Sequence, residues 1–157
     1  MRLRLLAAIA IAAFPVPGVA DELSQAMQEF AVLYAAAWCS QEPAQVAAFH
    51  AEDGMLVING GAPSSGRPAI AEAAGSFMTA YPDMVVELES LERVGDRYRF
   101  HWKFTGTNSG PGGTGRSVHM RGYEEWTMGT DGLIAQSLGH YDQAEWDRQL
   151  GQTSDPP

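Results

Sequence analysis

Between Tyr98 and Asp142 the chain reads as three consecutive long strands, and this stretch restricts the fold more than any other. Its first segment, Tyr98-Arg99-Phe100-His101-Trp102-Lys103-Phe104, alternates aromatic with basic residues. Strand side chains alternate between faces. Tyr98, Phe100, Trp102 and Phe104 therefore form one apolar wall, and Arg99, His101 and Lys103 point the other way. A glycine-rich break follows, then Arg116–Met128, a Gly-Thr-Asp-Gly turn and Leu133–Asp142. Strands joined this closely predict a curved antiparallel sheet, and its apolar face needs helices to cover it and close a pocket.

The rest of the chain supplies those helices. Leu23, Met27, Phe30, Ala31, Tyr34 and Trp38 recur at helical spacing, predicting a helix over Asp21–Ser40. Pro43 opens a short second helix to Phe49, at the position where proline is tolerated. Met55–Asn59 reads as a strand and Gly60–Gly66 as a loop. Pro68–Ala80 reads as a third helix, stopped by Pro82. Met84–Val94 is a strand that turns through Gly95-Asp96, a two-residue hairpin signal. Gln143–Leu150 is a short closing helix, and Gln152–Pro157 a frayed tail. Helices first and antiparallel strands later indicate an α+β domain with helices on one side of a bent sheet.

Met-Arg-Leu-Arg, an apolar run Leu5–Phe14, two prolines and the small residues Gly18-Val19-Ala20 describe a secretory leader over residues 1–20. The apolar run is too short to span a bilayer, which takes roughly 20 residues, so the expectation is a periplasmic or secreted domain over residues 21–151, free of the membrane after cleavage. The whole chain has 10 basic and 19 acidic residues. Removing the leader takes Arg2 and Arg4 with it and leaves the remainder more acidic still. That balance argues against nucleic acid as a partner. Cys39, the one cysteine, allows no internal disulfide. Its apolar helical context reads as packing rather than as a reactive thiol.

Several motifs, in this order, resemble the SnoaL-like (polyketide cyclase-like) branch of the nuclear transport factor 2-like superfamily. They are Phe49-His-Ala-Glu-Asp-Gly-Met-Leu-Val-Ile, Gly66-Arg-Pro-Ala-Ile, the glycine-rich Thr107–Arg116, Gly122-Tyr-Glu-Glu-Trp and Asp131-Gly-Leu-Ile. The resemblance covers nearly all of residues 22–150. It implies a cone: a strongly curved, mostly antiparallel sheet packed with three helices around a pocket. It also implies a homodimer formed through the sheet's outer face, with His101, His119 and Tyr123 near the contact. Function varies within the superfamily and has to be argued from the site.

In cyclases of this family a carboxylate takes a proton next to a carbonyl and a histidine assists. The family's Gly-x-Asp is matched here by Gly122-Tyr123-Glu124, making Glu124 the candidate base. Such a base needs an apolar pocket to raise its pKa. The family's histidine falls on Asn108, which can donate a hydrogen bond but cannot shuttle protons. His140 and Asp142 sit two apart on the last strand. They read either as a relocated histidine with a carboxylate partner, or as a sheet-end histidine followed by a helix cap at Asp142. Glu124 shares its face with Val118, Met120, Gly122 and Trp126. Its alternatives are a pairing with Lys103 or Arg121, or a bulge that turns it outward. Superfamily isomerases carry an acid where this chain has Leu56-Val57-Ile58-Asn59. His50 reads as a helix-closing residue and Asp53 as a turn residue; as a metal pair their spacing is a weak signal. Neither a metal nor another cofactor is expected.

Tyr34, Trp38, Met55, Phe77, Tyr81, Trp102, Phe104, Met120 and Trp126, with Asp142 at the rim, are the candidate pocket lining. Rings and methionines around one cone favour a small apolar ligand. Three functions stay open: acid–base chemistry next to a carbonyl (cyclase, isomerase or hydrolase type), a non-catalytic binding module, and a dimeric interaction domain.

Overall fold

The computed structural model describes residues 19–152, and side-chain surroundings from residue 25 onward. The expected leader lies outside the described residues apart from Val19 and Ala20, and the expected tail apart from Gln152. The chain runs α1 (Val19–Cys39), α2 (Pro43–Ala48), β1 (His50–Ile58), β2 (Ser64–Ser65), α3 (Arg67–Ala80), β3 (Val85–Val94), β4 (Arg97–Thr107), β5 (Ser117–Met128), β6 (Ile134–Tyr141) and α4 (Gln143–Leu150). No helix among the described residues is long and apolar enough to cross a membrane.

The six strands form one sheet in the order β2-β1-β6-β5-β4-β3. All pairs are antiparallel except β1 with β6. The expected loop Gly60–Gly66 contains the two-residue strand β2, which pairs Ser64 and Ser65 with Leu56 and Met55. Gly95 takes φ +66° at the β3–β4 hairpin, a conformation open to glycine. Register breaks at Leu88/Ser90, at Thr127/Met128 and in β1 after His50. Each such bulge bends its strand and increases the local twist, and together they curve the sheet into a cone. This is the α+β architecture that the strand pattern and the resemblance imply.

The faces sort as alternation requires. Phe100, Phe104, Val118, Met120 and Trp126 are buried on the inner face. Arg99 and Arg97 pair with Glu125 on the outer face, and Lys103 and Arg121 pair with Glu89. Helix α1 lays Ala31, Tyr34, Ala35 and Trp38 into the concavity, and α3 adds Ile70, Ala74 and Met78 at four-residue steps. Helix α4 closes the cone with Trp146 and Leu150.

Candidate functional site

Glu124 is the one acid buried in the interior of the described residues, 7% exposed. Strand β5 points it inward between Met120 and Trp126. The outer-face cations Lys103 and Arg121 are occupied by Glu89 and do not reach it. Its neighbours are three neutral donors, all on the same oxygen. Ser137 Oγ donates to Oε2 at 2.6 Å, Trp126 Nε1 at 2.9 Å and the Tyr34 hydroxyl at 3.0 Å. The other oxygen, Oε1, has no protein partner among the described residues.

Burial raises the Glu124 pKa above the ordinary carboxylate value, and the Ser137, Trp126 and Tyr34 hydrogen bonds hold back part of that rise. Burial and then the neighbouring Glu124 charge push the Tyr34 hydroxyl well above its usual pKa, so it stays a donor.

Glu124 lies on the wall of an apolar cavity of about 60 Å³. The helices contribute Trp38, Phe77 and Trp146 to this wall. The sheet contributes Leu56, Ile58, Val86, Trp102, Phe104, Gly139 and Tyr141, and Met84 lies just ahead of β3. Glu124 is the single carboxylate among these residues, and no histidine, lysine or arginine joins it. The Trp38 indole N–H is buried without a hydrogen-bond partner.

Of the residues singled out in the sequence, Trp38, Phe77, Trp102, Phe104 and Glu124 stand on the cavity wall. Tyr34 and Trp126 belong to the packed core beside it and reach the site only through Glu124. Tyr81 is buried against Phe104 and Trp146, and Met120 lies under Gln149. Neither lines the cavity. Met55 is corrected too: Leu56 and Ile58 face inward, so their neighbour Met55 takes the other face of β1.

Asn108, read as a polar partner of the base, instead folds the glycine-rich hairpin. Its Oδ1 accepts from Thr114 N at 2.7 Å and its Nδ2 donates to Ala80 O. His140 lies on the outer face, its ring stacked 4.8 Å from Tyr123. Asp142 is exposed and caps α4, accepting from Glu145 N at 3.0 Å. The reason for both shifts is the bulge opposite Thr127/Met128. Ile134 faces inward, but beyond the irregularity the inward residues become Ser137, Gly139 and Tyr141. A one-residue slip exchanges faces, and it takes His140 away from the cavity.

His50 is fully buried beneath Tyr34, and its Nδ1 contacts Val46 O at 3.2 Å at the end of α2. Burial lowers its pKa to about 4, so the ring is neutral and Nδ1 is the donor. Asp53 is exposed. Among the described residues no three His, Cys, Asp or Glu side chains gather as metal ligands.

The SnoaL-like domain model matches residues 31–137, from the inner face of α1 to the serine that holds Glu124. The chain belongs to the SnoaL-like family. Solved structures with this fold include a protein with a ketosteroid isomerase-like fold from Catenulispora acidiphila, in complex with trimethylamine. It matches at TM-score 0.70 and 20% identity, over 82% of this chain and 97% of that one. A phenazine biosynthesis-related protein from Pseudomonas aeruginosa matches at 0.70 and 19%, over 88% and 92%. The epoxide hydrolase/cyclase-like enzyme SalBIII, described for pyran ring formation in salinomycin, matches at 0.66 and 17%, over 78% and 95%. At these identities the likeness is one of fold. No curated protein sequence matches.

Proposed function

We propose that this SnoaL-like domain holds a small apolar molecule against Glu124, and that Glu124 exchanges a proton with a C–H next to the ligand's carbonyl. One observation carries the reading. A carboxylate has one oxygen fixed by three donors and the other unpaired, on the wall of an otherwise apolar cavity. Burial makes it a stronger base than an exposed glutamate once ionised. Oε1 takes the C–H proton and leaves the carbonyl as an enolate; the carboxyl proton exchanges with solvent, and a solvent-derived proton is delivered back to carbon. General-base action of this kind contributes typically ~10²–10⁴-fold. The family relationship and the cyclase-like fold relatives support chemistry of this class.

The test is solvent-deuterium uptake into cyclohexenone, followed by NMR. The wild type is expected to exceed buffer, and Glu124→Gln to fall back to it. Wild-type exchange no faster than buffer, or full exchange in Glu124→Gln, would contradict the reading.

A non-catalytic binding module is the second reading. It is favoured by the lack of a second proton-transfer group on the described cavity wall. Export through the leader at residues 1–20 and a homodimer through the outer sheet face belong to the same proposal. They rest on the sequence pattern and the resemblance.

A further inference from the structure

The glycines of the inner sheet face divide into two kinds. Gly122 stands opposite Trp102 across β4 and β5, and a Cβ there would collide with the Trp102 ring and the His140 carbonyl. Its missing side chain is replaced by protein. Gly106 is similar: a Cβ would come within 3.2 Å of both Phe104 and Tyr81. Gly139 differs. The nearest atoms to a Cβ at 139 would be Val57 O at 3.5 Å and Glu124 Cγ at 3.8 Å, ordinary contact distances. Its φ is not positive, so its backbone accepts any side chain. A glycine inside a strand weakens it and usually marks a bulge or a close approach by a ligand or another backbone. The register breaks lie elsewhere, and Gly139 pairs in regular register with Glu124 on one side and Ile58 on the other.

Directly opposite residues on one sheet face are side-chain neighbours. A side chain at 139 would therefore stand beside Glu124, in the cavity that Gly139 lines. We propose that Gly139 is the specificity-determining residue: its missing side chain leaves room beside Glu124 for one small ring, and the ligand is a neutral monocyclic compound with a single carbonyl group. The cavity's 60 Å³ is well below the roughly 150 Å³ of an engineered cavity that takes benzene. Because the cavity is open on one side, a single ring can enter with its outer edge in the mouth, and fused polycycles are too large. Its aromatic walls suit a ring, and the unpaired Oε1, an acceptor when ionised, suits the acidic C–H position that a single carbonyl creates. The proposal rests on the cavity being the ligand site of Glu124, but not on Glu124 turning a substrate over.

The test is titration of the full-length protein with cyclohexenone, tetralone and anthrone, which carry one, two and three rings. Trp38, Trp102 and Trp146 on the cavity wall report binding by fluorescence. Wild type is expected to bind cyclohexenone and to exclude anthrone from the cavity. Gly139→Ala should weaken cyclohexenone roughly tenfold and Gly139→Val should abolish its binding, with circular dichroism unchanged. If the valine variant fails to fold, the alanine variant alone decides. Unchanged affinity in a folded Gly139 variant, anthrone bound more tightly than cyclohexenone, or no binding by the wild type would each overturn the proposal. The deuterium experiment separates the two failures. If Glu124→Gln stops exchange while Gly139→Val leaves affinity intact, the acid–base reading stands and the size rule falls. If Gly139→Val weakens binding and no exchange is seen, the size rule stands alone.

Discussion

Around Tyr34 the rings of Phe49, Phe100 and Trp126 lie 5.0–5.5 Å away, and Phe100 and Trp126 stack at 4.9 Å. On the other side of Glu124 the pairs Trp38–Phe77, Phe77–Trp146 and Trp102–Tyr141 stand 6.1–6.3 Å apart, around an open cavity. Both regions are built from large aromatic rings, so ring content does not separate core from pocket. Ring spacing does not either, since Phe104–Trp146 and Tyr141–Trp146 on the cavity wall stand 5.0 and 5.1 Å apart; what lies between the rings does. In the first region ring meets ring directly. In the second, Gly139 adds no side chain to the cavity wall beside Glu124. Glu124 sits on the boundary. Its Oε2 is tied to Tyr34 and Trp126 of the packed side, and the residue also lines the hollow side.

The largest expected effect comes from truncating one ring on each side. Phe100→Ala should cost about 3–5 kcal/mol, the range for emptying a filled aromatic site, because Phe100 is fully buried. Phe77→Ala, in a ring that already borders open space, should cost less than half of that. Urea denaturation measures both, and equal losses would erase the distinction between the two regions.

The packed side also carries a pH signature. His50 has a folded pKa of about 4 against an ordinary value of 6.5, so below pH 6.5 the unfolded chain binds the proton that the native state refuses. Stability from this group is full above pH 6.5 and falls as pH drops toward 4, by on the order of 3 kcal/mol. Glu124 acts in the opposite sense. Its raised pKa makes the native state hold a proton longer, so stability falls as pH rises through the window above the usual glutamate value. Unfolding at pH 7 and pH 5 should show a drop in the wild type that His50→Gln largely removes. An unchanged drop in that variant would place its origin elsewhere.

The smallest effect belongs to the hollow side. Asp142→Ala removes the cap of α4, which carries the cavity-wall residue Trp146. It should cost about 1 kcal/mol and loosen the cavity, read as a modest fall in melting temperature with weaker cyclohexenone binding. No change in either would mean that the cap does not support the wall.

Much of the fold was legible in the sequence because alternation fixes faces wherever a strand is regular. Tyr98–Phe104 separates its aromatic and basic sides as its pattern implies, and Glu124 follows from counting along β5. The count fails where a bulge intervenes. His140 and Asp142 have the parity of Ile134, and one irregularity near Ala135 sends them outward and brings Ser137, Gly139 and Tyr141 inward. No residue type in Leu133–Asp142 announces that slip.

The cavity wall was less legible than the core. Leu56, Ile58, Met84, Val86 and Trp146 are ordinary apolar residues in the sequence. They become lining only because α1, α3 and α4 cross the sheet without filling the space between them. Ser137 was hidden for a related reason. Its hydroxyl matters only through the β5–β6 register, which sets it beside Glu124.

The charge state of Glu124 tests the account most directly. Carbon-13 NMR titration of the glutamate side-chain carboxyls, with Glu124 assigned by its loss in Glu124→Gln, follows that one group. The account predicts a midpoint above the ordinary glutamate value and a carboxyl signal that shifts when cyclohexenone binds. A midpoint at or below that value, with no response to the ketone, would contradict it.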